Sequence, residues 1–175
     1  MITNGLAKDF ENLRKSLAHS YRLTAFIAAG VLILSQSFAS LVLTGLHTPS
    51  NIIGMSLLYL RIIFCGIPAT AAYNMFASAL RAMGNSKTPL TAMIIASVLN
   101  VSLDILFVAG FGWGVAGAAI ATVIAQSFSA VYCFLILRRI DIVHLTRADF
   151  MPASGMNARL MKLGIPVVFQ NIIIG

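Results

Sequence analysis

Long hydrophobic runs alternate along this chain with short polar breaks. Leu23–Leu46 is the first run, twenty-four residues without a charge. Gly54–Leu80, Leu90–Phe111 and Val115–Leu137 follow, separated by His47–Asn51, by Arg81–Pro89 and by the uncharged turn around Gly112. About 20 apolar residues in a helix cross the hydrocarbon core of a bilayer. The pattern therefore predicts four transmembrane helices, at 23–46, 54–80, 90–111 and 115–137, and an all-α fold, a polytopic transmembrane bundle. Residues 1–22 are polar and mixed in charge, with Phe10, Leu13 and Leu17 at helical spacing. They are expected to form an amphipathic cytoplasmic leader on the membrane surface. A basic, turn-rich connection occupies 138–162. The last apolar run, 163–175, has thirteen residues and would reach about 20 Å, too short to cross. A piece of a longer protein is the expectation.

Composition supports the class and narrows the partners. With 59% hydrophobic and 10% charged residues and a mean hydropathy of +0.91, an ordinary soluble domain is excluded. The net charge of +7 does not predict nucleic-acid binding, because the basic residues are divided among loops and form no stripe. They collect in the leader, in Arg81–Lys87 and in 138–162, whereas His47–Asn51 and Gly110–Gly114 have none. That alternation places the basic segments in the cytoplasm, the N-terminus of the chain among them, and the uncharged turns outside. Cys65 and Cys133 fall within apolar runs at no metal-binding spacing and read as buried apolar residues.

Polar residues inside the spans carry the candidate chemistry. Asp104 is the only acidic residue within a hydrophobic run, where an ionisable group costs a few kcal/mol or more and usually marks a polar path. Ser97, Asn100 and Asp104 are spaced i, i+3, i+7 and share one helix face. Arg61 falls at a depth similar to that of Asp104, about 10 Å from the outer end of its span. It is expected either to pair with Asp104 or to snorkel outward. Gly66 and Pro68 can kink the second span. In the fourth, Gly117, Ala121, Ala125 and Ser129 form a row of small residues suited to close packing. Thr122 and Gln126 are the polar surplus of the neighbouring row. Gln36 reads as an interhelical contact. Phe64, Phe76, Met93 and Phe107 are candidates for a broad cavity, each weighed against plain packing.

The segments Tyr59-Leu-Arg-Ile62, Gly66-Ile-Pro68, Tyr73-Asn74, Leu80–Pro89, Leu99-Asn100, Asp104 and Gly112–Thr122 together closely resemble the multidrug and toxic compound extrusion (MATE) family. Gly5–Asp9 is similar to the loop after that family's second helix, and Leu163–Pro166 to the start of its seventh. The resemblance implies a twelve-helix antiporter of two six-helix lobes, of which this chain would supply helices three to six and the beginning of seven. It also implies export of amphipathic, often cationic organic compounds in exchange for H+ or Na+, with no other cofactor. Asn100, Asp104 and Thr122 match the cation-binding cluster of the family's DNA-damage-inducible branch, and Asn74 its fourth-helix member. The acidic member on that family's first helix has no counterpart here. Gln126, Arg61 and Ser97 are then candidates for the substrate path.

The implied partners are the lipid bilayer of the plasma (inner) membrane, a small-molecule drug or toxin, and the remainder of the transporter. Three rivals stay open. A lipid-linked oligosaccharide flippase of the same superfamily would call for several basic residues within the spans, and only Arg61 is available. An enzyme would need paired acids, a metal cluster or a nucleophile with its base, yet Asp104 stands alone and His19, His47 and His144 are assigned to loops. A non-transporting four-helix membrane protein is the third.

Overall fold

The computed structural model describes residues 2–140, with side chains from Ser16 onward. The expectations for 141–175, including most of the basic connection and the short final run, lie outside the described residues, as do those for the leader's side chains. Residues 1–23 with 140–175 make one unit and residues 24–139 the other. In the first, residues 2–23 are helical. The second contains the bundle and the candidate site.

Helix α1 spans Ile2–Gly45. The leader and the first span thus belong to one helical element, where a separate surface helix was expected. The physical reason is local: no proline occurs before Pro49, and the only glycines before Gly45 are Gly5 and Gly30. Two consecutive helices, α2 (Ile53–Cys65) and α3 (Ile67–Ala82), make up the second hydrophobic run and are interrupted at Gly66. Pro68 lies in the first turn of α3, where its missing N–H is tolerated, whereas a continuous helix would lose a backbone hydrogen bond there.

The turn after α3 is set by Gly84, at φ +81°. The Gly84 N–H donates to the Arg81 carbonyl and the Asn85 N–H to the Leu80 carbonyl, at 3.0 and 2.9 Å. This is the paired closure that a left-handed residue allows at a helix end. Asn85 then accepts the Thr88 N–H through Oδ1 at 3.1 Å, helping to start α4 (Lys87–Asp104).

Beyond Asp104 the third span changes register. Ile105–Gly110 is a π-helical turn, and the Phe111 N–H reaches back five residues to the Leu106 carbonyl at 2.9 Å. An aromatic group closes this end: Phe107 stacks on Trp113 with ring centres 5.2 Å apart, and Phe111 lies 5.4 Å from Trp113.

Helix α5 (Gly114–Arg138) is the centre of the bundle and packs against α2, α3 and α4. Gly117, Ala121, Ala125, Ser129, Cys133 and Leu137 form a buried row at i+4 spacing. Small residues let backbones approach closely, and close approach is a main source of helix adhesion where lipid removes the hydrophobic driving force. Phe76 of α3 packs on Phe134 at the far end of α5, 5.3 Å between centres. Many large apolar side chains remain exposed, Phe26, Val98 and Leu135 among them, as suits helices that face lipid. Four helical segments among the described residues are long and apolar enough to cross a membrane, and no strand occurs among those residues.

Candidate functional site

A cavity of about 300 Å³ lies among α3, α4 and α5. Helix α3 contributes Thr70, Tyr73 and Asn74; α4 contributes Met93, Ala96, Ser97 and Asn100; α5 contributes Thr122, Ala125, Gln126 and Ser129. The i, i+3 and i+4 spacings explain this, since each helix turns one face inward. All eleven lining residues are uncharged.

Two polar nodes sit along α5, one turn apart. At the first, the Asn100 amide nitrogen donates to Thr122 Oγ1 at 3.4 Å, and the Thr122 hydroxyl donates to the Ala118 carbonyl at 3.0 Å. At the second, the Thr70 hydroxyl lies 2.9 Å from Gln126 Oε1 and 3.2 Å from the Gly66 carbonyl oxygen. Gly66 makes that node possible. A Cβ there would fall 2.8 Å from Gln126 Oε1, 3.0 Å from the Ile63 carbonyl oxygen and 3.1 Å from Val123 Cγ2. Elsewhere on the wall, the Tyr73 hydroxyl donates to the Pro89 carbonyl at 3.2 Å and ties α3 to α4.

Of the residues singled out in the sequence, the cavity brings together Asn74, Ser97, Asn100, Thr122 and Gln126, and leaves Asp104 and Arg61 off its wall. Asp104 is half-buried, one turn past Asn100, at the junction of α4 and the π-helical turn. Its Oδ1 is fully buried without a hydrogen-bond partner among the described residues. Arg61 is exposed on α2, and α2 and α4 make no contact, because α5 packs against both. Of the two expectations for Arg61, the pair with Asp104 is not formed among the described residues. The contact of the second hydrophobic run with α4 is made by α3, on the far side of Gly66 from Arg61.

Other readings are also placed. Gln36 does bridge helices: its amide donates to the Arg61 carbonyl at 2.9 Å and approaches Cys65 Sγ at 3.3 Å. Cys65 is exposed, contrary to the reading of both cysteines as buried, whereas Cys133 is buried. Met93 lines the cavity, whereas Phe76 and Phe107 engage other aromatic rings. His19 lies within α1 and is buried, not in a loop; His47 is in the turn after α1, and His144 lies outside the described residues. Sequence reasoning missed Thr70, and it read Ser129 for packing alone although Ser129 also lines the cavity. For Thr70 a signal existed, its position four residues after Gly66, where a hydroxyl can reach back to a carbonyl freed by the break.

Four long apolar helices around an uncharged cavity define the class: an integral, multi-pass membrane protein. Residues 6–106 match the MatE family, and the chain belongs to it. Over 136 residues it is 37% identical to the probable multidrug resistance protein YpnP of Bacillus subtilis (strain 168), covering 78% of this chain and 30% of that protein. It is 24% identical over 172 residues to the multidrug export protein MepA of Staphylococcus aureus (strain NCTC 8325 / PS 47), covering 97% of this chain and 38% of MepA. The chain thus spans between 30% and 38% of the length of these relatives. In three dimensions it is similar to an inward-facing multidrug resistance MATE family transporter of the MOP superfamily, with a TM-score of 0.83 at 24% identity. That match covers 91% of this chain and 37% of the other. A MATE structure in a straight conformation matches at a TM-score of 0.82 and 23% identity, over 95% of this chain and 37% of that one. These likenesses establish the fold, that of part of a MATE transporter.

Proposed function

We propose that this chain forms part of a cation-coupled multidrug efflux antiporter, in which Asp104 takes up and releases the coupling H+ or Na+. One observation carries the reading: a carboxylate oxygen fully buried in an apolar span with no hydrogen-bond partner among the described residues. Such an atom is costly unless a proton or a cation joins it. Asn100 lies one turn away, beside Thr122, so neutral oxygen donors are available near the carboxylate, and hard oxygen ligands suit Na+ as well as a shared proton. Asn74 lies across the cavity on α3 and completes the proposed polar set.

Loading Asp104 changes the charge beside a cavity whose own wall is neutral. That change alters the relative stability of two conformations, and a substrate that prefers one of them is coupled to the cation through the same equilibrium. The substrates are amphipathic organic compounds, often cationic, carried outward across the plasma membrane. In the orientation that goes with this, Arg81–Lys87 faces the cytoplasm and the Trp113 turn faces outside. An uncharged wall also favours drug export over the flippase alternative, which calls for basic groups along the path.

The test is Asp104→Asn in the polypeptide expressed from the chain's own reading frame. Efflux of an amphipathic cationic dye, driven by an imposed H+ or Na+ gradient, is expected to be abolished while membrane insertion is unchanged. Normal gradient-driven efflux by the variant would remove Asp104 from the mechanism.

A further inference from the structure

The node formed by Thr70, Gln126 and Gly66 has an unusual hydrogen-bond inventory. A threonine hydroxyl carries one proton, yet two acceptors stand within reach of Thr70: Gln126 Oε1 at 2.9 Å and the Gly66 carbonyl oxygen at 3.2 Å. The Gly66 carbonyl already receives the Thr70 N–H at 3.0 Å, which leaves it one further lone pair. The Gln126 side chain has no other hydrogen bond among the described residues, and it lines the cavity. A glutamine amide has nearly the same shape after a half-turn about its last bond, with its donor and acceptor ends exchanged.

Two complete arrangements follow. In one, the Thr70 hydroxyl donates to Gln126 Oε1, and the amide NH2 is presented to the cavity as a donor. In the other, the hydroxyl donates to the Gly66 carbonyl, the amide NH2 donates to Thr70 Oγ1, and Oε1 is presented to the cavity as an acceptor. Both satisfy Thr70, and they differ by an amide half-turn and a hydroxyl rotation without movement of a helix.

We infer that Thr70 and Gln126 form a reversible reader in the cavity, offering a hydrogen-bond donor to one ligand and an acceptor to another. The inference rests on the transport reading and names the part of the substrate that this cavity recognises: an uncharged hydrogen-bonding group, such as a ring nitrogen, amide, carbonyl or N–H, on an apolar body. The neutral wall supports that class, because no lining side chain offers a charge to select for or against. Broad specificity then has a local origin. A fixed donor rejects a ligand that offers only a donor, and a fixed acceptor one that offers only an acceptor, since a buried polar group is then left unpaired; the reversible node avoids that cost for either.

Carbazole and acridine make the test. They are three-ring aromatic compounds of similar size, uncharged at mildly alkaline pH; carbazole offers only an N–H donor and acridine only a nitrogen acceptor. Their binding is measured by fluorescence with the polypeptide expressed from the chain's own reading frame, reconstituted in nanodiscs, against empty nanodiscs. Wild type is expected to bind both. Gln126→Leu is expected to weaken both alike, by about tenfold. In Thr70→Val the exchanging hydroxyl is gone, so the amide NH2 turns toward the Gly66 carbonyl and Oε1 is held facing the cavity. Acridine binding is then expected to fall about tenfold, with carbazole within about twofold of wild type. Thr70→Ser keeps the hydroxyl and is expected to bind both as wild type does, which separates the effect from a folding defect. Equal losses of the two ligands in Thr70→Val, or no loss of either, would overturn the reader. Wild type that binds neither compound would also overturn the reader, while the transport reading is decided separately by gradient-driven dye efflux.

Discussion

Gly66 is where the smallest side chain has the largest local consequence. It ends α2, precedes α3 and admits the Gln126 amide to a space that a Cβ would occupy. In Gly66→Ala the glutamine can swing away, but the Ile63 carbonyl oxygen at 3.0 Å and Val123 Cγ2 at 3.1 Å belong to packed helices and yield less readily. Overpacking of this kind costs about 1–3 kcal/mol, so the variant should unfold at lower temperature in mild detergent. Adding Gln126→Ala should restore only part of the loss; full restoration would mean that the amide alone makes the contact. The kink at Gly66-Ile-Pro68 was legible because glycine and proline act on their own backbone. So was the polar face of Ser97 and Asn100, which depends only on helical period and does reach the cavity. That Arg61 and Asp104 do not pair was not legible in the same way. Depth along a helix can be counted from sequence, but which helices touch depends on the packing of the whole bundle.

At the scale of elements, α5 provides adhesion and site from adjacent rows. The buried row from Gly117 to Leu137 holds the neighbouring helices and lends Ala125 and Ser129 to the cavity wall, and Thr122 and Gln126 on the next row supply its polar nodes. Ala121 is fully buried, so Ala121→Leu should push α5 away from its neighbours. Cys133 reports this conveniently, since it is buried in the same row, three turns further on. With Cys65→Ser as background, the reaction of Cys133 with a membrane-permeant maleimide should accelerate about tenfold in Ala121→Leu, an opening of about 1.4 kcal/mol. Ile124→Leu, at an exposed position, should leave the rate unchanged. A row of small residues announces itself in sequence because its meaning is steric and repeats every turn. The π-helical turn after Asp104 does not, since Ile105–Gly110 is as apolar as the rest of its span. A one-residue change of register leaves no mark in hydropathy. Such turns are frequent at functional sites, and here one begins immediately after the residue proposed to carry the cation.

Across the whole molecule, the loops divide by charge into two sets. Arg81 and Lys87 flank the turn between α3 and α4, whereas the turns after α1 and before α5 contain no lysine or arginine. Positive charge near the ends of spans is retained on the cytoplasmic side. In the proposed orientation Asp104 would lie nearer the outer face than the middle of α4 does, and a cation leaving it toward the outside would cross the shorter part of the span. This can be tested without any transport assay. With Cys65→Ser and Cys133→Ser as background, Ser50→Cys and Ser86→Cys place single thiols on opposite sets of loops; both native serines are exposed. A membrane-impermeant maleimide added to intact cells should label Ser50→Cys and spare Ser86→Cys until the membrane is opened. The reverse pattern would invert the bundle, place Asp104 nearer the cytoplasm and reverse the direction of cation entry on which outward drug transport depends. Labelling of both in intact cells would mean that the chain inserts in two orientations. In that case its few loop charges, with Arg81 and Lys87 as the only pair between described spans, would be too weak to set its topology.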